Sequence, residues 1–259
     1  MAGECLAMMD HRPTVCVLVE PAPATYERIL EIQRALWAAV ADPNGDVPSA
    51  LILVEHLPVI TLGAAARDGD VLASPETLER AGVELVKIDR GGEATYHGPG
   101  QMVAYPIVNL RMTGLDVHGY LRLLEDAVID TLSDYGLKGI RHGPSTGSGH
   151  GLAGVWVGDR KICSIGIAVR RWVTYHGLAL NVAPNLSHFS LIKPCGLDAA
   201  RITSMQALLG RTLDFAEVKR ALTSHLCSRL SLEILPAEEA VPMVSRILPE
   251  LAAETDRAA

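Results

Sequence analysis

The sequence predicts an α+β fold: a mixed or antiparallel sheet with helices packed on one face. Three observations predict it. Strand-like segments cluster in the middle of the chain instead of alternating strictly with helices. The run from Gly154 to Val182 reads as consecutive antiparallel strands, and Gly158-Asp159 suits a two-residue hairpin turn within it. Helical periodicity occurs on both sides of that cluster in sequence.

The elements follow in order. Thr14 to Glu20, "TVCVLVE", reads as a strand. Thr25 then caps a helical stripe of Tyr26, Ile29, Leu30, Leu36, Trp37 and Val40, which "ADPNGD" terminates. "ALILVEH" is short and wholly apolar, as a strand buried on both faces should be. "VELVKIDR" and "QMVAYPIVNL" are further strands, on either side of a glycine-rich segment. Asp116 opens a second helix with a stripe of Leu121, Leu124, Val128, Leu132 and Tyr135, and Gly136 stops it. Gly143 to Gly151 reads as a loop. Thr203 with Gln206 has capping-box spacing before a short helix ending at Gly210, and Asp214 with Glu217 repeats it before a helix through Leu230. Beyond Pro236 the alanine- and glutamate-rich tail is expected to fray.

Composition bounds the function. A chain of 259 residues, 49% hydrophobic, supports one large core, assigned to a single domain over 14–235 with extensions 1–13 and 236–259. Only two phenylalanines are present, so aliphatic side chains must fill that core. A net charge of −7 argues against nucleic-acid binding. The five cysteines, Cys5, Cys16, Cys163, Cys195 and Cys227, form no CxxC pair and no metal-ligand spacing, which points to reduced thiols in the cytoplasm. His142 and His150 have no Cys, Asp or Glu ligands at fixed spacing, so no metal is expected. The first residues lack a secretory pattern, and no window reaches the ~20 apolar residues of a membrane span.

The segment from Arg90 to Leu110, "RGGEATYHGPGQMVAYPIVNL", holds Gly91, Gly92, Gly98 and Gly100 just before an apolar strand. It can be a plain turn, a phosphate cradle, or a backbone wall around an organic substrate. The spacing gives neither GxGxxG nor GxxxxGK[ST], and no helix follows to hold a phosphate. The phosphate cradle is weakened by this, and the plain turn and the backbone wall both stay open.

This segment resembles the signature of the lipoyl(octanoyl) transferases. "LVEHLPVITLG", "GVWVGDRKICSIGIAVRRWVTYHGLALNV" and "FSLIKPCGL" resemble the same family, in the same order, over about Leu51 to Leu230. The resemblance implies a fold like the catalytic domains of biotin and lipoate protein ligases. It implies octanoyl transfer from octanoyl-acyl carrier protein to a lysine on lipoyl domains of 2-oxoacid dehydrogenase complexes and of the glycine cleavage H protein, with no cofactor. It further implies that Cys195 of "PCG" is the nucleophile and Lys161 of "RKICSIG" its partner. The implied substrate site comprises Arg90, Gly91, Gly92 and Glu93, then Ala94, Thr95, Tyr96 and His97. Ser164, Ile165 and Gly166 join it from "SIG", and His176, Gly177 and Ala179 from "HGLA".

The chemistry fits these residue types. Thiol-for-thioester exchange is nearly balanced and needs no ATP, whereas thioester to amide runs downhill. Cysteine suits the relay because its thiolate is nucleophilic near neutral pH and its acyl form stays reactive. The acceptor lysine is protonated at pH 7, so a base must take its proton. Lys161 can serve, although a lysine beside a hairpin turn can equally hold its amine in solvent. Cys195 sits between Pro194 and Gly196 in a loop sequence, where a thiol is reachable. Backbone amides of Gly196 and of the Gly91–Gly92 or Gly98–Gly100 segments are candidate oxyanion donors. Arg170, Arg171 and Lys193 are candidates for steering an acidic carrier protein. An ATP-dependent lipoate or biotin ligase, a non-catalytic relative and a thioester hydrolase are the competing readings. The first needs no cysteine nucleophile, the second should lack Cys195 or Lys161, and the third would release free octanoate.

Overall fold

The computed structural model describes residues 13–141 and 153–250. The N-terminal strand β1 (Thr14–Val19) leads through helix α1 (Tyr26–Ala41) to β2 (Ser49–Val54) and β3 (Val59–Leu62). Helix α2 (Pro75–Ala81), β4 (Glu84–Lys87), β5 (Ala94–His97) and β6 (Gln101–Val108) follow. A one-turn helix α3 (Leu110–Thr113) and the long α4 (Val117–Asp134) precede β7 (Gly139–Arg141), β8 (Gly154–Val157), β9 (Arg160–Arg170) and β10 (Val173–Asn181). Three 3₁₀ turns, including Pro194–Gly196, then lead to α5 (Met205–Leu209), α6 (Phe215–Leu230), β11 (Leu232–Ile234) and α7 (Ala237–Ile247).

Eight strands form one mixed sheet in the order β11-β1-β2-β6-β10-β9-β8-β7. β1 runs parallel to β11 and β2, and every other neighbouring pair is antiparallel. A second sheet, β4-β3-β5, stands apart and carries the glycine-rich segment into β5. The strands cluster as their sequence indicated, but the helices do not share one face. Strand alternation sends Leu51, Leu53 and Met102 to a core shared with α4 and α6. It sends Ala50, Ile52 and Val103 to a second core under α1 and α7. The main sheet is therefore covered on both sides, which explains why all six residues of β2 are buried.

Capping follows local chemistry. Thr25, Asp116 and Asp214 accept from the first-turn amides of α1, α4 and α6. The cap of α5 is Ser204, whose hydroxyl accepts from Ala207 N; Thr203 is one residue too early because its carbonyl and amide serve Asn181 and Lys161. The expected fraying past Pro236 does not hold over α7. Ala240 and Leu248 are buried, and Met243, Val244 and Ile247 pack on the same core as α1. The Gly143–Gly151 loop, His142, His150 and Cys5 lie outside the described residues.

Candidate active site

A cavity opens where β5, β9, β10, the start of α1 and the Arg90 loop meet. Cys195 borders it from the 3₁₀ turn Pro194–Gly196 and is the only cysteine lining it among the described residues. Its backbone is left-handed, with φ 52° and ψ 41°, and Gly196 continues at φ 71°. A non-glycine residue held in this region stores strain, and such strain gathers at functional sites. The thiol is half-buried, 3.9 Å from the Ala94 carbonyl oxygen. By contrast Cys163 and Cys16 are fully buried, and burial pushes each thiol up to about 12.

Arg90 enters the cavity wall from the loop before β5. It is 6% exposed, and its guanidinium donates to the Thr61 carbonyl at 3.0 Å, to Thr61 Oγ1 at 2.9 Å and to the Gly91 carbonyl at 3.0 Å. Burial pulls its affinity for a proton down, and the Cys195 thiol opposes that effect. His97 donates from Nδ1 to Gln101 Oε1 at 2.7 Å, because that oxygen can only accept. Burial and then the Arg90 charge drop its pKa to about 3, so it is neutral at physiological pH. His176 lies across the cavity at φ 56°, fully buried. Its Nε2 faces Asp89 Oδ1 at 3.2 Å and its Nδ1 faces the Tyr26 hydroxyl at 3.1 Å. Burial outweighs the nearby carboxylate and sets its pKa at about 4.

Lys161 is 2% exposed, and its Nζ has no hydrogen-bond partner among the described residues. The alternative of an amine in solvent is therefore excluded. Val155 pairs with Cys163 and Trp156 with Lys161, so Ile162 is the extra residue of a β-bulge. Ile162 and Cys163 both face the α4/α6 core, which returns Lys161 to the face that Ser164 presents to the cavity. A Cβ on Gly154, the partner of Ser164, would lie 2.9 Å from Lys161 Cε, so the lysine chain occupies space that this glycine leaves free. Its Nζ is 6.0 Å from the centre of the Trp156 ring. Lys161 does not itself line the cavity.

Most of the residues singled out in the sequence converge here. Gly91, Gly92, Thr95 and His97 line the cavity with Arg90 from one side. Ser164, Ile165 and Gly166 line it from β9, and His176, Gly177 and Ala179 from β10. Glu93, Ala94 and Tyr96 do not. Glu93 points toward Gly196, Ala94 is buried with its carbonyl toward the thiol, and the Tyr96 hydroxyl meets His188 Nδ1 at 2.8 Å. The glycines also divide. Gly91 and Gly92 border the cavity, but Gly98 and Gly100 do not. A Cβ on Gly98 would lie 2.0 Å from the Tyr96 hydroxyl, and one on Gly100, at φ 83°, would lie 2.4 Å from the Ala183 carbonyl oxygen. Those two serve a tight turn against protein, and Gly100 N donates to Glu55 Oε2. The sequence reading missed Tyr26, Val103, Tyr105 and Leu178 on the cavity wall. Each fits a core stripe of its own element, and only the crossing of α1 over β6 and β10 turns them toward the site.

The site is thus a strained loop cysteine over a glycine-walled cavity, set beside a sheet covered by helices on both faces. The family described as lipoyl protein ligase A/B catalytic domain matches residues 25–227, and the chain belongs to that family. An octanoyltransferase of Syntrophobacter fumaroxidans is 47% identical over 202 residues, covering 78% of this chain and 84% of the relative. An octanoyltransferase of Solibacter usitatus is 45% identical over 221 residues, covering 85% and 96%. Among solved structures, a putative lipoate protein ligase from T. acidophilum with bound lipoic acid superposes with a TM-score of 0.69 at 17% identity, over 92% of this chain and 95% of that one. A lipoate-protein ligase A bound with ATP gives 0.68 at 17%, over 91% and 94%. These last two speak for the fold alone.

Proposed function

We infer that the chain is an octanoyltransferase of protein lipoylation. It takes an octanoyl group from octanoyl-acyl carrier protein onto Cys195 and passes it to a lysine of a lipoyl domain. The observation that carries this reading is Cys195 itself: a reachable thiol on a strained loop, bordering the cavity of a chain 45–47% identical to octanoyltransferases.

In the first half-reaction the Cys195 thiolate attacks the donor carbonyl, the new C–S bond forms, and the carrier thiolate leaves. The Gly92 amide is the candidate to meet the intermediate oxyanion; the Gly91 amide already donates to the Ile167 carbonyl and the Gly196 amide to the Lys193 carbonyl at 3.4 Å. In the second half the acceptor amine attacks, the C–N bond forms, and the Cys195 thiolate is released. Lys161, buried and without a hydrogen-bond partner among the described residues, is the group assigned to the acceptor's proton. His97 and His176, both neutral, orient rather than carry charge. Apolar lining from Val103, Leu178 and Ala179 suits the acyl chain. The cavity holds about 30 Å³, room for a water or two.

Acceptors are lipoyl domains, those of 2-oxoacid dehydrogenase complexes and the glycine cleavage H protein. The exposed Lys193 beside the thiol, with Arg170 and Arg171 at the β9–β10 tip, supplies the local positive charge an acidic donor needs. No helix among the described residues is long and apolar enough to cross a membrane.

The test is intact-mass measurement after incubation with octanoyl carrier protein, without ATP. A single added octanoyl group that is absent from Cys195→Ser is expected. An adduct that persists in that variant, or transfer that requires ATP, overturns the reading.

A further inference from the structure

Arg90 is a buried cation with no anion. Among the described residues its guanidinium binds only neutral oxygens, of Thr61 and Gly91, and its Nε–H has no hydrogen-bond partner. No carboxylate pairs with it among the described residues. Two other arginines do meet acids: Arg141 meets Glu125 and Asp126, and Arg229 meets Asp130. Burying a charge without a counter-charge costs several kcal/mol, so such a residue is kept only where an anion completes it.

The surroundings are shaped for this cation. A Cβ on Gly63 would lie 2.8 Å from Arg90 Nη1, and one on Gly166 would lie 2.9 Å from Arg90 Cδ. Two glycines thus leave the channel through which the side chain reaches the cavity. Among the described residues, the groups that line the cavity with Cys195 offer no second fixed cation. From β5 come Thr95 and the neutral His97, from β10 the neutral His176, and from β9 Ser164 and Gly166. Glu93 approaches Gly196 from the loop, and the exposed Lys193 and Asp198 flank the turn.

The reaction places a negative charge in this space at each stage: thiolate, oxyanion, departing thiolate. A guanidinium keeps its protons throughout. An amine offsets the thiolate only while protonated and takes the acceptor's proton only while neutral, so Lys161 would have to lose its proton between the half-reactions, which a guanidinium need not do. We propose that Arg90 is the counter-cation of the Cys195 thiolate and of the thioester oxyanion, and that Lys161 is reserved for the acceptor's proton. This rests on Cys195 as the relay thiol.

Alkylation by iodoacetamide, followed on the Cys195 peptide across pH, reads the thiolate directly and needs no substrate. Arg90→Gln is expected to slow alkylation at pH 7 about tenfold, with the deficit closing above the free-thiol range. Arg90→Lys should fall between, and Lys161→Met should stay within about twofold of the parent. An unchanged rate in Arg90→Gln, or a tenfold loss in Lys161→Met, overturns the assignment; the second outcome decides even if Arg90→Gln fails to fold. The octanoyl adduct on the unsubstituted protein is scored separately. If no adduct forms while Arg90→Gln still slows alkylation, the relay reading falls and the ion pairing stands. If the adduct forms and alkylation is unmoved in Arg90→Gln, the relay stands and the pairing falls.

Discussion

Gly166 and Arg90 share one volume: a Cβ at 166 would lie 2.9 Å from Arg90 Cδ and 2.8 Å from the Gly91 carbonyl oxygen. Gly166→Ala must therefore push the arginine and its loop together. Overpacking of this kind costs ~1–3 kcal/mol. The expected result is a lowered denaturation midpoint together with a fall in acylation rate at least tenfold. Gly158→Ala is the control. That glycine sits in a hairpin turn at φ 61° with open space around it, so the strain of ~1–2 kcal/mol should leave acylation unchanged. Equal activity losses in the two variants would show that Gly166 matters only to the fold.

Lys161→Met separates stability from chemistry. A buried amine without a partner is a liability in the folded protein, and an unbranched apolar chain fills the same space beside Trp156 and Gly154. The variant should unfold at the same or higher denaturant concentration. Octanoyl loading of Cys195 should persist, while single-turnover transfer to a lipoyl domain falls ~10²–10⁴-fold, the range of a lost general base. A destabilised variant with normal transfer would make Lys161 structural.

Local chemistry explains what the sequence made legible. Thr25, Asp116 and Asp214 cap helices because their side chains reach amides two or three residues on, a relationship visible in the chain itself. Gly158-Asp159 declares its turn in the same way. What escaped depends on packing across distance. α7 has an alanine- and glutamate-rich sequence typical of a solvated tail, and only the α1 surface gives Met243, Val244 and Ile247 somewhere to bury. Tyr26 fits the core stripe of α1, yet its hydroxyl meets His176, 150 positions away. The glycine-rich segment called for close backbone approach, but whether a glycine yields to a substrate or to Ala183 cannot be read without the neighbours.

The β9–β10 hairpin turns on Arg171 and Trp172 at φ 52° and 68°. Both central residues of such a turn prefer glycine or asparagine, since the left-handed region is costly with an ordinary side chain. The Trp172 ring lies 5.6 Å from the Arg111 guanidinium, and its carbonyl accepts from Leu110 N, so it has contacts to lose. Arg171 is the cleaner site. Arg171→Asn should raise the unfolding free energy by ~0.5–1 kcal/mol in equilibrium denaturation. A destabilised variant would show that Arg171 makes contacts that outweigh its backbone strain.

Stability should fall as pH drops from 6.5 toward 4, and the buried histidines set that window. Burial holds His97 at about 3 and His176 at about 4, against about 6.5 when the chain is unfolded. Between those values the unfolded chain binds more protons than the folded one, so unfolding free energy rises with pH. The contribution is complete above about 6.5 and is lost on acidification through the folded values. Each such proton contributes a slope of about 1.4 kcal/mol per pH unit. His176 offers the sharper test because Asp89 Oδ1 at 3.2 Å could in principle hold it charged. Asp89 is 58% exposed, however, so water screens its pull while the imidazole remains desolvated. His176→Asn keeps a residue tolerant of left-handed backbone and removes the titrating group. It should lower the slope between pH 4.5 and 6 by about one proton in denaturant titrations at each pH. An unaltered slope would mean that His176 enters the folded state already protonated, with Asp89 rather than burial in control.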